Sequence, residues 1–186
     1  MPEALLLIFF LIIFIFLTST LKVFKMNGLP FWSAPLLLLV KFSAGMGLAW
    51  IYSNYYGDRS TADVFKLFDD SKHMYAAFDQ HPADYFKMLF GFSSDAPYYD
   101  RYYNQMNHWF PSFDVNQGLY YDTRTLIRIN AFFRLFSMGY YSVHVLLFSF
   151  LALWGSMLTW RVFSRGSTFW FLQCWHGLQV CSKKAW

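Results

Sequence analysis

The sequence predicts an all-α integral membrane fold, with about three transmembrane helices and a large extracytoplasmic loop that carries amphipathic or juxtamembrane helices. Only 14% of the 186 residues are charged, whereas soluble domains carry about 25%. Three apolar runs, at residues 4–21, 31–52 and 140–160, approach the ~20 residues that cross the hydrocarbon of a bilayer. Of the 11 acidic residues, all except Glu3 lie from Asp58 to Asp122, between the second and third runs.

The first apolar run is interpreted as a retained span and not as a cleaved signal peptide. It lacks a basic segment before it, and no small-residue cleavage site follows it. Together with the second run it makes residues 1–52 a segment of two transmembrane helices.

Basic residues at the ends of the apolar runs predict the orientation. Lys22 and Lys25 lie between the first two runs, and Arg161 and Arg165 follow the third. The positive-inside rule places these residues in the cytoplasm and residues 53–139 outside. The net charge of +4 comes from these anchors and a few loop arginines, so we expect no nucleic-acid partner.

The loop at residues 53–139 predicts several helices. Residues 60–63 (STAD) resemble a capping box that begins at Ser60, and Pro82 suits the first position of a second helix. Residues 91–122 are rich in Tyr, Asn, Asp and Pro and predict irregular structure. Residues 125–136 alternate apolar side chains with Arg128 and Arg134, as in a helix that lies in the membrane interface.

The third transmembrane helix is predicted at residues 140–163, and an atypical tail follows at 164–186. The tail has no acidic residue and holds Cys174, Cys181, Lys183 and Lys184. One interpretation is a frameshift between residues 163 and 168, because an alternative reading frame permits a further apolar helix. The other is a genuine short tail, in which residues 169–180 form a Trp-rich interfacial segment.

Asp58 and Asp63 are the candidate catalytic acids, because they flank a turn directly beyond the outer end of the second span. A carboxylate there can take a proton from an acceptor hydroxyl, and a second can orient that hydroxyl or hold a cation. The alternative is structural: a turn for Asp58 and helix capping for Asp63. The pair Asp69 and Asp70 is interpreted as the solvated face of a helix.

Lys41 is a candidate because it interrupts the second apolar run near its middle, where an ionisable group is costly and commonly functional. Snorkelling towards the interface is its alternative. Arg128 and Arg134, with Arg124, place guanidinium groups at the predicted depth of lipid headgroups. They suit bidentate binding of a lipid phosphate or a general attraction to anionic lipid.

Other site patterns are missing from the sequence. His73, His81 and His108 do not have the spacing of zinc ligands. No nucleophile elbow, phosphate-binding loop or dinucleotide-binding fingerprint occurs.

Several runs resemble those of one family. They are KFSAGMG at 41–47, IYSNYY at 51–56, DRSTAD at 58–63, MNHW at 106–109, IRINAFFR at 127–134 and GYYSVH at 139–144. These runs are similar to Bacteroidetes-type multi-span membrane proteins that resemble the GT-C superfamily of polyprenyl-phosphate-dependent glycosyltransferases. The similarity covers residues 41–154, which would be the N-terminal part of such a protein.

The resemblance implies a fold with many more spans in the bacterial inner (cytoplasmic) membrane. Its first large periplasmic loop would carry the catalytic acid. Such an enzyme moves a sugar from a polyprenyl-phosphate donor, held among membrane lipid, to an acceptor outside the membrane. Asp58 or Asp63 would be the general base. The candidates for binding the lipid and its phosphate would be Arg59, Arg128, Arg134 and Lys41. A divalent cation serves some relatives as cofactor and not others, so the metal is left open.

Two departures from the family bear on this interpretation. Asp58 and Asp63 do not form the tight acid-x-acid pattern of some members, so which of them is the base is open. Three spans cannot make a GT-C core. Three functions therefore remain: the N-terminal fragment of a membrane glycosyltransferase, a small non-catalytic membrane protein that binds a partner or polysaccharide, or an inactive truncated remnant.

Overall fold

The computed structural model describes residues 2–25, 30–55, 62–92, 96–110, 113–114, 119–120 and 122–182, with the backbone alone at 63–64, 113–114, 119–120 and 162–182. The described part is almost entirely helical. The helices, in chain order, are α1 (Pro2–Thr20), α2 (Ser33–Tyr55), α3 (Asp63–Gln80), α4 (Pro82–Phe90), α5 (Asp100–Tyr103), α6 (Thr123–Ser137) and α7 (Tyr141–Ser182). Two short antiparallel strands, β1 (Phe113–Asp114) and β2 (Leu119–Tyr120), pair with each other.

Three of the described helices are long and apolar enough to cross a membrane: Pro2–Thr20, Ser33–Tyr55 and Tyr141–Arg161. They agree with the three predicted spans to within a few residues. The helical backbone of α7 continues beyond the apolar part to Ser182. The prediction of three such helices is therefore confirmed, while their insertion in a bilayer stays a prediction.

The chain divides into two compact units, and the smaller comprises Ile12–Lys41 and Phe148–Trp186. In it, Phe14 stacks on Phe150 with ring centroids 4.3 Å apart. A guanidinium N–H of Arg161 donates to the carbonyl oxygens of Lys22 and Lys25. These three basic residues therefore lie close together, as the predicted topology requires, although the side of a membrane that they face stays a prediction.

The larger unit comprises Met1–Leu11 and Phe42–Leu147, and it contains what we call the loop domain, formed by α3, α4, α5 and α6. Its core is a cluster of buried apolar and aromatic side chains from these four helices and from the residues that flank α5. The members are Met74, Ala77, Tyr85, Met88, Leu89, Tyr99, Tyr102, Tyr103, Met106, Ile127 and Ala131. The loop between the second and third apolar helices is thus a folded domain with its own core.

Tyr85 lies at the centre of this core and is 0% exposed. Its hydroxyl donates to the carbonyl oxygen of Ala131, 2.9 Å away, and so joins α4 to α6. Its ring packs edge-on against Phe78, with centroids 5.4 Å apart, and against Tyr75 at 6.3 Å. Burial raises the pKa of this hydroxyl above its ordinary value of 10.0, and Tyr75 adds to the effect.

This shift predicts alkaline destabilisation of the loop domain. A tyrosine in the unfolded chain ionises near pH 10, whereas Tyr85 in the folded chain keeps its proton to higher pH. The resulting stabilisation is complete below about pH 10 and is lost as the pH rises towards the folded-state pKa. Unfolding titrations at neutral and strongly alkaline pH check this. Tyr85→Phe should lose less stability on alkalinisation than the wild type, and equal losses would contradict the prediction.

The start of α4 agrees with the prediction, and its end has the geometry of a common glycine C-cap. Pro82 is the first helical residue, where its missing N–H leaves no backbone hydrogen bond unmade. Gly91 ends the helix in the left-handed conformation, with φ of 78°. The N–H of Phe92 then donates to the carbonyl oxygen of Lys87, 2.9 Å away, as in a Schellman motif.

The predicted capping box at the start of α3 is wrong. The helix begins at Asp63, so its N-cap is Ala62 and not Ser60. Alanine has no side-chain acceptor for the first helical N–H groups. Ala62 is fully buried instead, in a small cluster with Ala49 and Phe65. Apolar packing between α3 and the end of α2 therefore accounts for this helix start better than hydrogen bonding does.

The segment at residues 96–110, predicted as irregular, contains a 3₁₀ turn (Pro97–Tyr99) and α5. Asp84, in the first turn of α4, holds it in place. The Asp84 carboxylate accepts from the Tyr98 hydroxyl at 2.8 Å and from the Arg101 guanidinium at 3.1 Å. The hydrogen bond to Asp84 raises the pKa of the exposed Tyr98 hydroxyl. These bonds hold Tyr98 and Arg101 against α4.

Candidate functional site

The two predicted catalytic acids are only partly covered by the structure. Asp58 and Arg59 lie outside the described residues, and Asp63 is described by its backbone alone, as the first residue of α3. Their assigned roles stay predictions. Lys41 lies in α2 and is half-buried within the smaller unit, and its role in binding the lipid also stays a prediction.

Arg134 lies in the interior of the larger unit and is 5% exposed. Its Nε donates to the Ser71 hydroxyl oxygen at 2.9 Å, and an Nη group donates to the Phe68 carbonyl oxygen at 2.5 Å. The guanidinium carbon is 4.1 Å from the centroid of the Phe68 ring. Arg134 therefore ties α6 to α3 through hydrogen bonds and a cation–π contact.

The turn between α6 and α7 is shaped around the same arginine. Gly139 adopts a φ of 82°, and a Cβ atom there would lie 2.9 Å from Nη1 of Arg134. Past this turn, Nε2–H of His144 donates to Oδ1 of Asn130, 2.8 Å away. Polar contacts therefore join α6 to the first turn of α7.

Arg128 lies in a different setting from Arg134. They are six positions apart on α6, which places their side chains about 120° apart around the helix. Nε of Arg128 donates to the carbonyl oxygen of Met88, 2.9 Å away, at the end of α4. Its guanidinium carbon lies 5.5 Å from the centroid of the Trp109 ring. The two arginines contact different elements, so they do not converge on a single phosphate in this arrangement.

An apolar groove with a volume of about 280 Å³ runs between α4 and α6, and Arg128 lies along it. Its lining is formed by Leu89, Phe90, Thr125, Arg128, Ile129, Phe132 and Phe133. One guanidinium and one hydroxyl therefore accompany five apolar side chains. A groove of this composition suits an amphiphile that has an anionic head and an apolar tail.

The groove belongs to a wider apolar face that the loop domain exposes. The large side chains on it are Phe86, Phe90, Phe92, Leu126, Ile129, Phe132 and Phe136, with Phe90 65% exposed. On α6 they recur every three or four residues, as on an amphipathic helix. Exposed apolar patches of this kind mark membrane or partner contacts. Since α6 ends at Ser137 and the apolar part of α7 starts at Tyr141, this face lies near the end of a candidate span.

Asp70 and His108 form a pair that the sequence patterns do not indicate. The prediction of a solvated helix face for Asp70 is wrong, because Asp70 is only 3% exposed. Its carboxylate lies 2.9 Å from Nδ1 of His108. Since 38 positions separate the two residues in the chain, no local pattern reveals the pair.

Metal ligation is the remaining predicted element of the site. Among the side chains that the structure describes, no three His, Cys, Asp or Glu residues lie together as a metal-binding group would. The predicted divalent cation therefore has no ligand set in the described part of the chain and stays open.

Comparison with known proteins leaves the family of this chain open. No family model matches the chain, and no curated protein or solved structure matches it. The resemblance to GT-C glycosyltransferases, and the substrates that it implies, therefore stay predictions.

Proposed function

We propose that this chain is the N-terminal part of a membrane glycosyltransferase whose loop domain binds a polyprenyl-phosphate-linked sugar. The groove between α4 and α6 would take the first isoprene units, with the phosphate at Arg128. The sugar would then pass to a hydroxyl acceptor outside a bacterial inner membrane. The observation that carries the proposal is the position of Arg128 along an apolar groove on an exposed apolar face.

The groove has the two kinds of surface that such a donor needs. Leu89, Ile129 and Phe132 offer apolar contact, and each methylene removed from water contributes about 0.8 kcal/mol. A polyprenyl chain is apolar throughout and ends in a phosphate. The groove and the donor are therefore chemically complementary along their lengths.

Arg128 is suited to the phosphate because its planar guanidinium can donate two parallel hydrogen bonds to phosphate oxygens. The bond from Nε to Met88 and the Trp109 ring hold the side chain along the groove. A side chain that is already positioned loses less conformational entropy when it binds a ligand. Arg134, tied to Ser71 and Phe68, would support α6 from within.

The proposal predicts that Arg128→Gln weakens binding of undecaprenyl phosphate to the purified full chain in detergent micelles. Hydrogen bonds to charged groups contribute about 1.5–3 kcal/mol, so the dissociation constant should rise roughly 10- to 100-fold. Radiolabelled undecaprenyl phosphate and equilibrium binding provide the measurement.

Arg124→Gln is the matched control for this experiment. Arg124 also lies over the Trp109 ring, at 5.2 Å, but it does not line the groove. Its substitution should leave the dissociation constant within about threefold, as expected for a surface charge. Equal weakening by both substitutions would indicate general attraction to anionic lipid and would contradict the assigned site. Absence of binding by the wild type would contradict the proposed function.

A further inference from the structure

The contacts of Asp70 resemble those of a carboxylate that orients a histidine. One oxygen, Oδ1, accepts from the backbone N–H of Asn107 at 3.1 Å. The other, Oδ2, accepts from the backbone N–H of His108 at 2.8 Å and lies 2.9 Å from its Nδ1. Backbone and side chain of His108 are thus bound to one buried oxygen, which leaves the imidazole little freedom to rotate.

This arrangement sets the tautomer of the His108 ring. A carboxylate only accepts hydrogen bonds, so Nδ1 carries the hydrogen in the contact with Asp70. In the neutral ring the lone pair then lies on Nε2. The residue is partly exposed, and no hydrogen bond to Nε2 occurs within the part of the chain that the structure describes. A carboxylate-held imidazole with a basic Nε2 is the arrangement that general-base catalysis uses.

His108 directly precedes, in the chain, the tryptophan that contacts the proposed phosphate-binding arginine. The next residue, Trp109, stacks on Tyr103 with ring centroids 4.2 Å apart, and Arg128 lies over the same indole at 5.5 Å. The indole therefore links the His108 backbone to the arginine that we assign to the lipid phosphate. A donor with its phosphate at Arg128 would have its sugar next to that phosphate, in the neighbourhood of this segment.

We infer that His108, in place of Asp58 or Asp63, is the general base that activates the acceptor hydroxyl, with Asp70 as its positioning residue; this inference rests on the proposed function. Nε2 takes the proton of the hydroxyl as the oxygen forms a bond to the anomeric carbon of the sugar. The bond between that carbon and the phosphate oxygen breaks, and its electron pair leaves with the polyprenyl phosphate. Arg128 stabilises the negative charge that develops on the leaving phosphate.

The test uses three variants of the full chain. His108→Asn keeps a nitrogen donor at the position of Nδ1, and with it the bond to Asp70, but removes Nε2. His73→Asn is the matched control, because His73 pairs through Nδ1 with the amide oxygen of Gln105 at 3.1 Å and not with a carboxylate. Asp70→Asn removes the charge beside the imidazole and keeps an acceptor.

The assay measures release of undecaprenyl phosphate from undecaprenyl-phosphate-linked glucose, with water as the hydroxyl acceptor. General-base catalysis contributes about 10²- to 10⁴-fold, so His108→Asn should slow release by that factor, whereas His73→Asn should stay within about twofold. Asp70→Asn should lower kcat and leave KM for the donor unchanged, because it disturbs the orientation of the imidazole and not the groove that binds the donor.

A measurement on the wild type keeps the inference testable if a variant misfolds. Diethyl pyrocarbonate should modify His108, detected by mass spectrometry of its peptide, and undecaprenyl phosphate should slow this reaction. An unreactive His108, or equal release by wild type and His108→Asn, including no release by either, overturns the inference. Binding of undecaprenyl phosphate to the same samples separates the two proposals. Intact binding together with equal release rates would contradict only the assignment of His108 as the base. Absent binding would contradict the proposed function.

Discussion

Replacing Tyr85 with alanine is expected to unfold the loop domain at much lower denaturant than the wild type. The side chain is 0% exposed and packs against Phe78 and Tyr75. Truncation of a buried aromatic residue to alanine costs about 3–5 kcal/mol, because apolar contacts are lost and a cavity remains. A domain of ordinary stability has only about 5–15 kcal/mol in total, so a large part of the stability of this domain depends on one ring.

Tyr85→Phe separates packing from hydrogen bonding in this experiment. It keeps the ring and removes only the bond from the hydroxyl to the carbonyl oxygen of Ala131. A single neutral hydrogen bond contributes about 0.5–1.5 kcal/mol, so the phenylalanine variant should lie close to the wild type. Urea titration of the full chain in mild detergent, followed by near-ultraviolet circular dichroism, measures both. Equal destabilisation by alanine and phenylalanine would show that the ring does not pack as described.

Local sequence patterns predicted the helical framework well. Three apolar runs became three long apolar helices, because helix length and hydropathy are properties of contiguous residues. Pro82 predicted the start of α4 for a similarly local reason. Where tertiary packing competed with a local signal, the local signal failed. Ser60 offered a capping hydroxyl, yet α3 begins at Asp63 with the buried Ala62 as its N-cap.

The candidate site was predicted less well because its contacts join distant parts of the chain. The Asp70–His108 pair and the bond from Arg134 to Ser71 both span many residues. Neither sequence spacing nor composition reports such contacts. Arg128 could be predicted as a candidate binding residue from its position in an amphipathic segment of the sequence. The groove beside it depends on how α4 packs against α6, which the sequence alone does not specify.

Two nearby glycines of α2 are expected to respond to alanine in opposite directions. A Cβ atom on Gly45 would lie 2.7 Å from Cγ1 of Val145 in α7, far inside van der Waals contact. Valine in a helix has one strongly preferred rotamer, so it cannot turn aside and the helices must move apart. Such overpacking costs about 1–3 kcal/mol, and a larger residue such as leucine should cost more.

Gly47 is the matched control, because a Cβ atom there meets nothing within 4 Å. Gly47→Ala should leave stability unchanged or raise it by up to about 1 kcal/mol through helix propensity. Unfolding of the full chain in mixed micelles with increasing dodecyl sulfate measures both variants.

Val145→Ala should relieve the cost of Gly45→Ala in the double variant, since the clashing methyl group is then absent. If Gly45→Ala and Gly47→Ala behaved alike, α2 and α7 would not approach closely at Gly45. Small residues let membrane helices pack backbone to backbone, so opposite responses would identify Gly45 as a point of close approach between α2 and α7.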